Sequence, residues 1–355
     1  MHLKVWRWAL VYFFGMSSAF QPLSEVAPEA LFEYLGRAGN SAELVRWKYF
    51  DERFNRGRER GYVWVNNNKI GGFIGLIPFQ VAFADHTVDA AWSCDWSVQD
   101  STGRGTGILL IREAMRKYPL LTQLGGNHAT QRIISRMAAI TVNDAGMVFH
   151  LPLRIGAILR LARRRYPGFP VDALPVINRW PLRWPHRPKE QPRVIIEPGV
   201  SEVLVDMLVP TRHGAIYSRY DLGYLRWQLT DCPFVAAETF YVPGPVGPRA
   251  AALVWRQVNS PEFWRMAIWL GMAAAAEMDA VLTKVISHVF EQKGFLLSIV
   301  VSRMETDLIG LLRKRHFLAA PRRRPLHIIS AQKTGDPVPE LWPLSYLDTD
   351  FAYRF

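Results

Sequence analysis

Cysteine is nearly absent from this chain of 355 residues: there are two, Cys94 and Cys232, far apart and outside any metal-ligand spacing. That scarcity excludes a disulfide framework, gives no support to a metal site, and makes a reducing compartment, the cytoplasm, the expected home. Long apolar runs are missing too, since no stretch approaches the about 20 apolar residues that a membrane-spanning helix needs. Acidic residues fall short of balance: 31 Asp+Glu against 43 Lys+Arg leave a formal net charge of +12. This suits an anionic partner, whether a phosphorylated small molecule, a nucleic acid or an acidic membrane surface, without choosing among them. What the chain does have is apolar content, 49% of its residues. At this length that is enough for two cores and excludes a mainly disordered protein.

Residues 1–20, "MHLKVWRWALVYFFGMSSAF", place Lys4 and Arg7 before an apolar run from Trp8 to Met16 and then the small residues Ser17, Ser18 and Ala19. The order resembles a signal peptide, and a first strand or a peripheral anchor accounts for it equally well. "PEALFEYLGR" reads as a helix, and "ELVRWKYFDERF" continues in helical spacing. Two apolar segments around Asn66-Asn67-Asn68 predict a hairpin. "TVDAAWSCDWSV" alternates like a strand and leads into a glycine loop and a helix, after which "LLTQLGG" reads as a strand, "NHATQRIISRMAAI" as a helix and "GMVFHLPLRI" as a strand. This is an α/β order.

Residues 158–193 break the pattern with proline and arginine and read as a linker. The expected layout is an N-terminal extension at 1–20, a first domain at 21–157, the linker, a second domain at 194–335 and a tail at 336–355. The two domains read as an internal repeat. Arg46-Trp47 and Arg226-Trp227 lie 180 positions apart, as do Lys69 and Arg249, each before an apolar strand. "ETDLIGLLRKRHF" falls about where "NHATQRIISRMAA" would after the same shift. Trp47 and Trp227 read as core anchors between helix and sheet, with stacking on an acceptor as the alternative.

The loop "STGRGTGILLIREAM" has glycine at 103, 105 and 107, then a helix. Glycines let the backbone approach a ligand closely, and the helix start offers unpaired N–H groups, which together make an anion site suited to phosphates. A strand-to-helix turn with no ligand is the plainer alternative. No Gly-Lys-Ser/Thr follows, and position 108 is isoleucine where the dinucleotide fingerprint needs glycine, so nucleoside triphosphates and NAD lose ground.

With "DWSVQDSTGRGTGILLIREA" after a hairpin and before "NHATQRIISRM", the chain resembles the GNAT superfamily of acyl-CoA-dependent N-acyltransferases. The resemblance implies two tandem α/β domains, each a mixed, mostly antiparallel twisted sheet flanked by helices. It is similar to two-domain members, including polysaccharide-associated and FemAB-like transferases. It implies an acyl-CoA co-substrate, acetyl-CoA first, whose pyrophosphate meets the backbone of Thr102, Gly103, Arg104, Gly105, Thr106 and Gly107. Its pantetheine arm would pair along Trp96, Ser97 and Val98 and meet Asn127. Thr102 stands where the family usually has Arg or Gln, with Arg104 as a neighbouring replacement. Asp95 is the candidate general base, with a hydrogen-bonded structural carboxylate as the alternative reading. The family's usual tyrosine acid maps to Ile134, which donates no proton, leaving water or His128, itself readable as an exposed helix-end histidine. The second half has no Gly-x-Gly loop, so one coenzyme site is expected. The acceptor is expected to be an amine on a small molecule or glycan, in envelope or polysaccharide synthesis. The alternatives are aminoacyl-tRNA-dependent transfer and a non-catalytic binding protein; direct nucleic-acid binding lacks a recognition motif. Arg163-Arg164-Arg165 and Arg322-Arg323-Arg324 read as solvated faces, and the alternative, with Trp180 and Trp184 in the same linker as the first, is a peripheral contact with an anionic membrane.

Overall fold

The computed structural model describes residues 18–37, 39–55, 57–82, 86–103, 105–124, 128–138, 140–159, 179–182, 192–207, 217–270, 275–302, 305–320 and 324–330. They fall into two compact units, and neither follows chain order alone. The first draws on 1–80, 88–141 and 327–337, the second on 81–87, 142–326 and 338–355. The N-terminal run to residue 17, most of the basic linker and the tail lie outside the described residues.

In the first unit, strand β1 (Ser18–Pro22) leads to helices α1 (Pro28–Gly36), α2 (Ala42–Phe50) and the short α3 (Glu52–Asn55). The proline at the first position of α1 loses no helical bond there, and the Ser41 side chain caps α2 by accepting from Leu44 N–H. Strands β2 (Gly61–Asn66) and β3 (Lys69–Ala82) form the hairpin that the asparagines predict. Asn67 and Asn68 sit at φ +50° and +58°, the paired left-handed conformation that a two-residue turn joining right-twisted strands requires. Then come β4 (Thr87–Val98), α4 (Thr106–Lys117), β5 (Leu120–Leu124) and α5 (His128–Met137).

The next strand in sequence, β6 (Ile140–Pro152), gives all but its first two residues to the second unit. There it is followed by β7 (Ile195–Pro198), β8 (Tyr217–Arg219), the one-turn helix α6 (Leu222–Leu225) with a π turn at Arg226–Thr230, β9 (Val235–Val242), β10 (Ala250–Gln257) and β11 (Ser260–Leu270). Helix α7 (Ala275–Glu291), β12 (Leu296–Ser302), α8 (Thr306–Lys314) and β13 (Leu318–Ala319) complete it. β14 (Arg324–Ser330) begins in the second unit and ends in the first, at residues 327–330.

Each unit is therefore a mixed, mostly antiparallel sheet flanked by helices. The first has the order β1-β2-β3-β4-β5-β14 and the second β6-β12-β11-β10-β9-β7, with β13 against β6. One parallel pair occurs at the same place in both: β4 with β5, joined by α4, and β11 with β12, joined by α7. A parallel pair needs a crossover, and each helix lays its apolar stripe on its own sheet. Leu110, Ile111 and Ala114 of α4 bury against Ile74, Leu76, Ala91 and Leu121. Val281, Leu282 and Val285 of α7 bury against Ala252, Val254, Met266 and Leu297. Trp47 and Trp227 are 5% and 1% exposed, so both are core residues.

Candidate functional site

The first unit's parallel pair is short. β4 and β5 are in register only at Ala90–Leu120, Ala91–Leu121 and Trp92–Thr122, although β4 runs on to Val98. Past Trp92, side-chain contacts replace the ladder: Ser93 Oγ donates to Thr122 O at 3.4 Å and to Gln123 Oε1 at 3.3 Å. At Asp95 the backbone enters the left-handed region, φ +48°. An irregularity of this kind bends a strand and ends its pairing, so Trp96, Ser97 and Val98 continue β4 beyond its last paired residue with β5. This is the stretch expected to pair with a pantetheine arm. The Ser97 carbonyl accepts from the Tyr34 hydroxyl of α1 at 3.2 Å, and Ser97 Oγ lies 3.3 Å from that hydroxyl. Burial is the main cause pushing the Tyr34 hydroxyl pKa upward.

The side chain of Asp95 is held from below. Oδ2 accepts from Lys48 Nζ at 2.6 Å and from the Tyr49 hydroxyl at 2.5 Å, both from α2. The ion pair is deeply buried, with side-chain exposures of 2% for Lys48 and 7% for Asp95. Gly75 makes room for it: a Cβ there would fall 2.2 Å from the Tyr49 hydroxyl oxygen. Arg60 Nη2 donates to the Lys48 carbonyl, which ties the end of α2 to the sheet. Two buried donors engage this carboxylate, the arrangement that the structural-carboxylate reading of Asp95 calls for. The sequence placed Asp95 in the right strand and gave no sign of Lys48 or Tyr49 as its partners.

The glycine loop follows. Gln99 N–H donates to the Gly71 carbonyl of β3 at 2.8 Å, and Thr102 Oγ1 donates to the same oxygen at 2.9 Å. Thr102 thus latches the loop to β3. Gly71 has no side chain because a Cβ there would meet that hydroxyl at 2.6 Å. Thr106, 1% exposed, folds its hydroxyl back onto the Gly103 carbonyl at 2.9 Å. Gly105 caps α4 at φ +95°, ψ −11°, a conformation that disfavours any side chain. Gly107 is bare for another reason: a Cβ would lie 2.8 Å from the Trp96 ring. The missing Cβ leaves room for the indole. The first turn of α4 has no acidic residue, and Arg116 and Lys117 lie in its last turn, so its positive N-terminal end is uncompensated. Arg104 and Asn127 lie outside the described residues, as does the side chain of His128, whose backbone opens α5. Ile134 is buried in the core.

In the second unit, β11 and β12 pair from Phe263–Leu296 to Met266–Ile299. Here the start of the crossover helix differs in charge. Glu277, 8% exposed, occupies the first turn of α7 and pairs with Arg249 Nη1 at 3.1 Å. Among the described residues no group of three His, Cys, Asp or Glu could hold a metal ion, and no helix is long and apolar enough to cross a membrane.

No protein-family model and no curated protein matches the chain. Solved structures do. A conserved protein of Enterococcus faecalis V583 described as a probable N-acyltransferase aligns with a TM-score of 0.57 at 12% identity, over 89% of this chain and 73% of its own. Saccharomyces cerevisiae N-myristoyltransferase with bound myristoyl-CoA aligns at 0.51 and 11%, over 89% and 82%. A GCN5-related N-acetyltransferase from Anabaena variabilis aligns at 0.52 and 12%, over 88% and 72%. The fold is the GNAT fold. The first unit has the end of β4 unpaired with β5, the glycine turn and a helix start without an acid, and the second unit repeats the scaffold with an acidic residue at that helix start.

Proposed function

We propose that this protein is an acyl-CoA-dependent N-acyltransferase whose co-substrate is held by the first unit. The supporting observation is the coincidence, at the end of one strand, of lost β4–β5 pairing, the positive-φ Asp95, and a glycine turn opening a helix with no acid in its first turn. The amides at the start of α4 meet the pyrophosphate, and the backbone of Trp96, Ser97 and Val98 supplies pairing groups for the pantetheine arm. Chemistry is direct attack of an amine nitrogen on the thioester carbonyl. The new C–N bond forms as the C–S bond breaks, the amine gives up a proton and the thiolate gains one, so most of the work is holding the reactants in line. Asp95 fixes the bend in β4 through Lys48 and Tyr49 and acts as a positioning residue. The acceptor is an amine of a small molecule or glycan, with acetyl-CoA the first donor to try and longer acyl chains next.

Calorimetry with acetyl-CoA, longer acyl-CoA esters and free coenzyme A tests this, on the wild type and on Gly105→Val with the fold checked by circular dichroism. Micromolar binding lost in a folded variant supports the site. A folded wild type that binds none of them sinks the reading.

A further inference from the structure

The gap between β4 and β5 has an open end and a closed one. Toward Val98 the strand is accessible: Asp95, Trp96 and Val98 are half-buried and Ser97 is exposed. Toward Trp92 the ladder with β5 resumes, and Ala91, Trp92, Leu121 and Thr122 are fully buried. Both faces of this closed end are filled. Ala91 and Leu121 pack under α4, while on the opposite side the Trp92 ring stacks on Phe79, with centroids 5.0 Å apart and 13° between planes. Thr122 Oγ1 braces the pair by donating to Ala91 O at 3.2 Å. Ser93 stands at the junction, its hydroxyl within reach of Thr122 O and of Oε1 of Gln123, which is 8% exposed.

This asymmetry bears on the acyl group. With the pyrophosphate at the start of α4 and the pantetheine arm following β4 back from Val98 through Trp96, the thioester comes to the bend at Asp95. An acyl chain continuing along the strand then heads for Ser93. Only Cys94 separates Asp95 from Ser93, and at about 3.3 Å per strand residue the remaining run is roughly 7 Å, which a chain of about four carbons fills. Leaving the sheet plane on the α2 side offers no more room, because Cys94 is buried there with its Sγ 3.5 Å from the Tyr49 hydroxyl. A longer chain must turn back into solvent, where its methylenes stay wet and add no affinity, or prise Trp92 from Thr122.

We propose that the closed end of the β4–β5 gap is an acyl-length stop: Ser93 and Gln123, backed by the Trp92–Thr122 pair, restrict the donor to short acyl groups, of about four carbons or fewer. The inference rests on the acyl-CoA reading and adds to it the class of donor. A pocket that took up a long chain would tighten binding by about fourfold for every methylene buried. A stop gives the opposite signature, an affinity that levels off or falls as the chain grows.

The test is calorimetry of the full chain with free coenzyme A and with its acetyl, butyryl and octanoyl thioesters, for the wild type and for Gln123→Ala with its fold checked by circular dichroism. The expected wild-type result is that octanoyl-CoA binds no tighter than butyryl-CoA. Affinity climbing steadily to octanoyl-CoA overturns the stop and leaves the acyl-CoA reading standing. Absence of binding by all four, free coenzyme A included, overturns both. In Gln123→Ala, octanoyl-CoA should gain about fourfold or more relative to free coenzyme A, the worth of one newly buried methylene. An equal shift for the two ligands overturns the assignment of the stop to Gln123, and the wild-type series decides on its own should the variant not fold.

Discussion

At Asp95 a single residue joins two facts that sequence keeps apart: a left-handed backbone in mid-strand and a buried ion pair to a lysine 47 positions earlier. Breaking a buried pair from one side leaves an uncompensated charge and typically costs about 3–5 kcal/mol. Lys48→Met should therefore destabilise by about 3 kcal/mol or more in urea unfolding. Lys48→Met/Asp95→Asn should recover part of that loss, since asparagine tolerates the left-handed conformation and needs no counter-charge. If the double variant is worse than the sum of the two single ones, the pair does not hold the strand as described. A separate readout distinguishes anchor from base: Asp95→Asn as an anchor weakens acyl-CoA binding, whereas as a lost base it lowers kcat and removes the acidic limb of the pH–rate profile with binding intact. Asp95 was legible from its place before the glycine loop. Its partners were not, because Lys48 and Tyr49 sit in an ordinary helical stretch and only tertiary packing turns them toward β4.

Elements carry the next level of constraint, and here the local signals were the readable ones. The Asn67-Asn68 turn, the alternation in β4 and the Gly103–Gly107 loop all encode structure within a few residues, so their spacing sufficed. The loop's two essential glycines nevertheless act differently. Gly105 touches nothing with its missing Cβ but needs φ +95°, so Gly105→Ala costs about 1–2 kcal/mol of backbone strain at the turn, and no second-site change relieves it. Gly107→Ala drives a methyl into the Trp96 indole, an overpacking cost of about 1–3 kcal/mol, and Trp96→Leu should relieve it. Paired thermal unfolding of the two single and the rescued variants checks the contrast; equal rescue at both positions would refute it. The strand on the other side of β5 was beyond local reading, because it is β14, some two hundred residues on. His327 on that strand is 2% exposed, its Nδ1 lies 3.1 Å from Thr141 Oγ1, and burial lowers its pKa below 6.5. The unfolded chain then binds the proton more readily. The stability His327 contributes is present above pH 6.5 and is lost as pH falls through the lower folded pKa. His327→Gln should flatten the acid side of the stability profile, and an unchanged slope there would rule the residue out as its source.

At the scale of the whole molecule, the repeat visible at an offset of 180 residues corresponds to two units with the same parallel pair, crossover helix and buried Arg-Trp tryptophan. Spacing could reveal that duplication because each unit keeps its own order of elements. It could not reveal that β6 and the end of β14 are assigned to opposite units, since a strand's own residues say nothing about which sheet takes it. On the proposed reading, duplication of the scaffold does not duplicate the ligand site. The first turn of α4 has no acid, while that of α7 has Glu277, nearly buried and paired with Arg249. An anion brought to α7 would face that carboxylate at close range and would have to displace its arginine, so the dipole's attraction is already consumed. The expected stoichiometry is therefore one acyl-CoA per chain. Hydrogen exchange should slow on binding in β4, the glycine loop, α4 and β5, and stay unchanged in β11, α7 and β12. Calorimetry giving two equivalents, or protection spreading to α7, would show that Glu277 does not close the second helix start to anions. Protection confined to the first unit, with one equivalent bound, would mean that the second copy of the fold has kept the scaffold and given up the ligand.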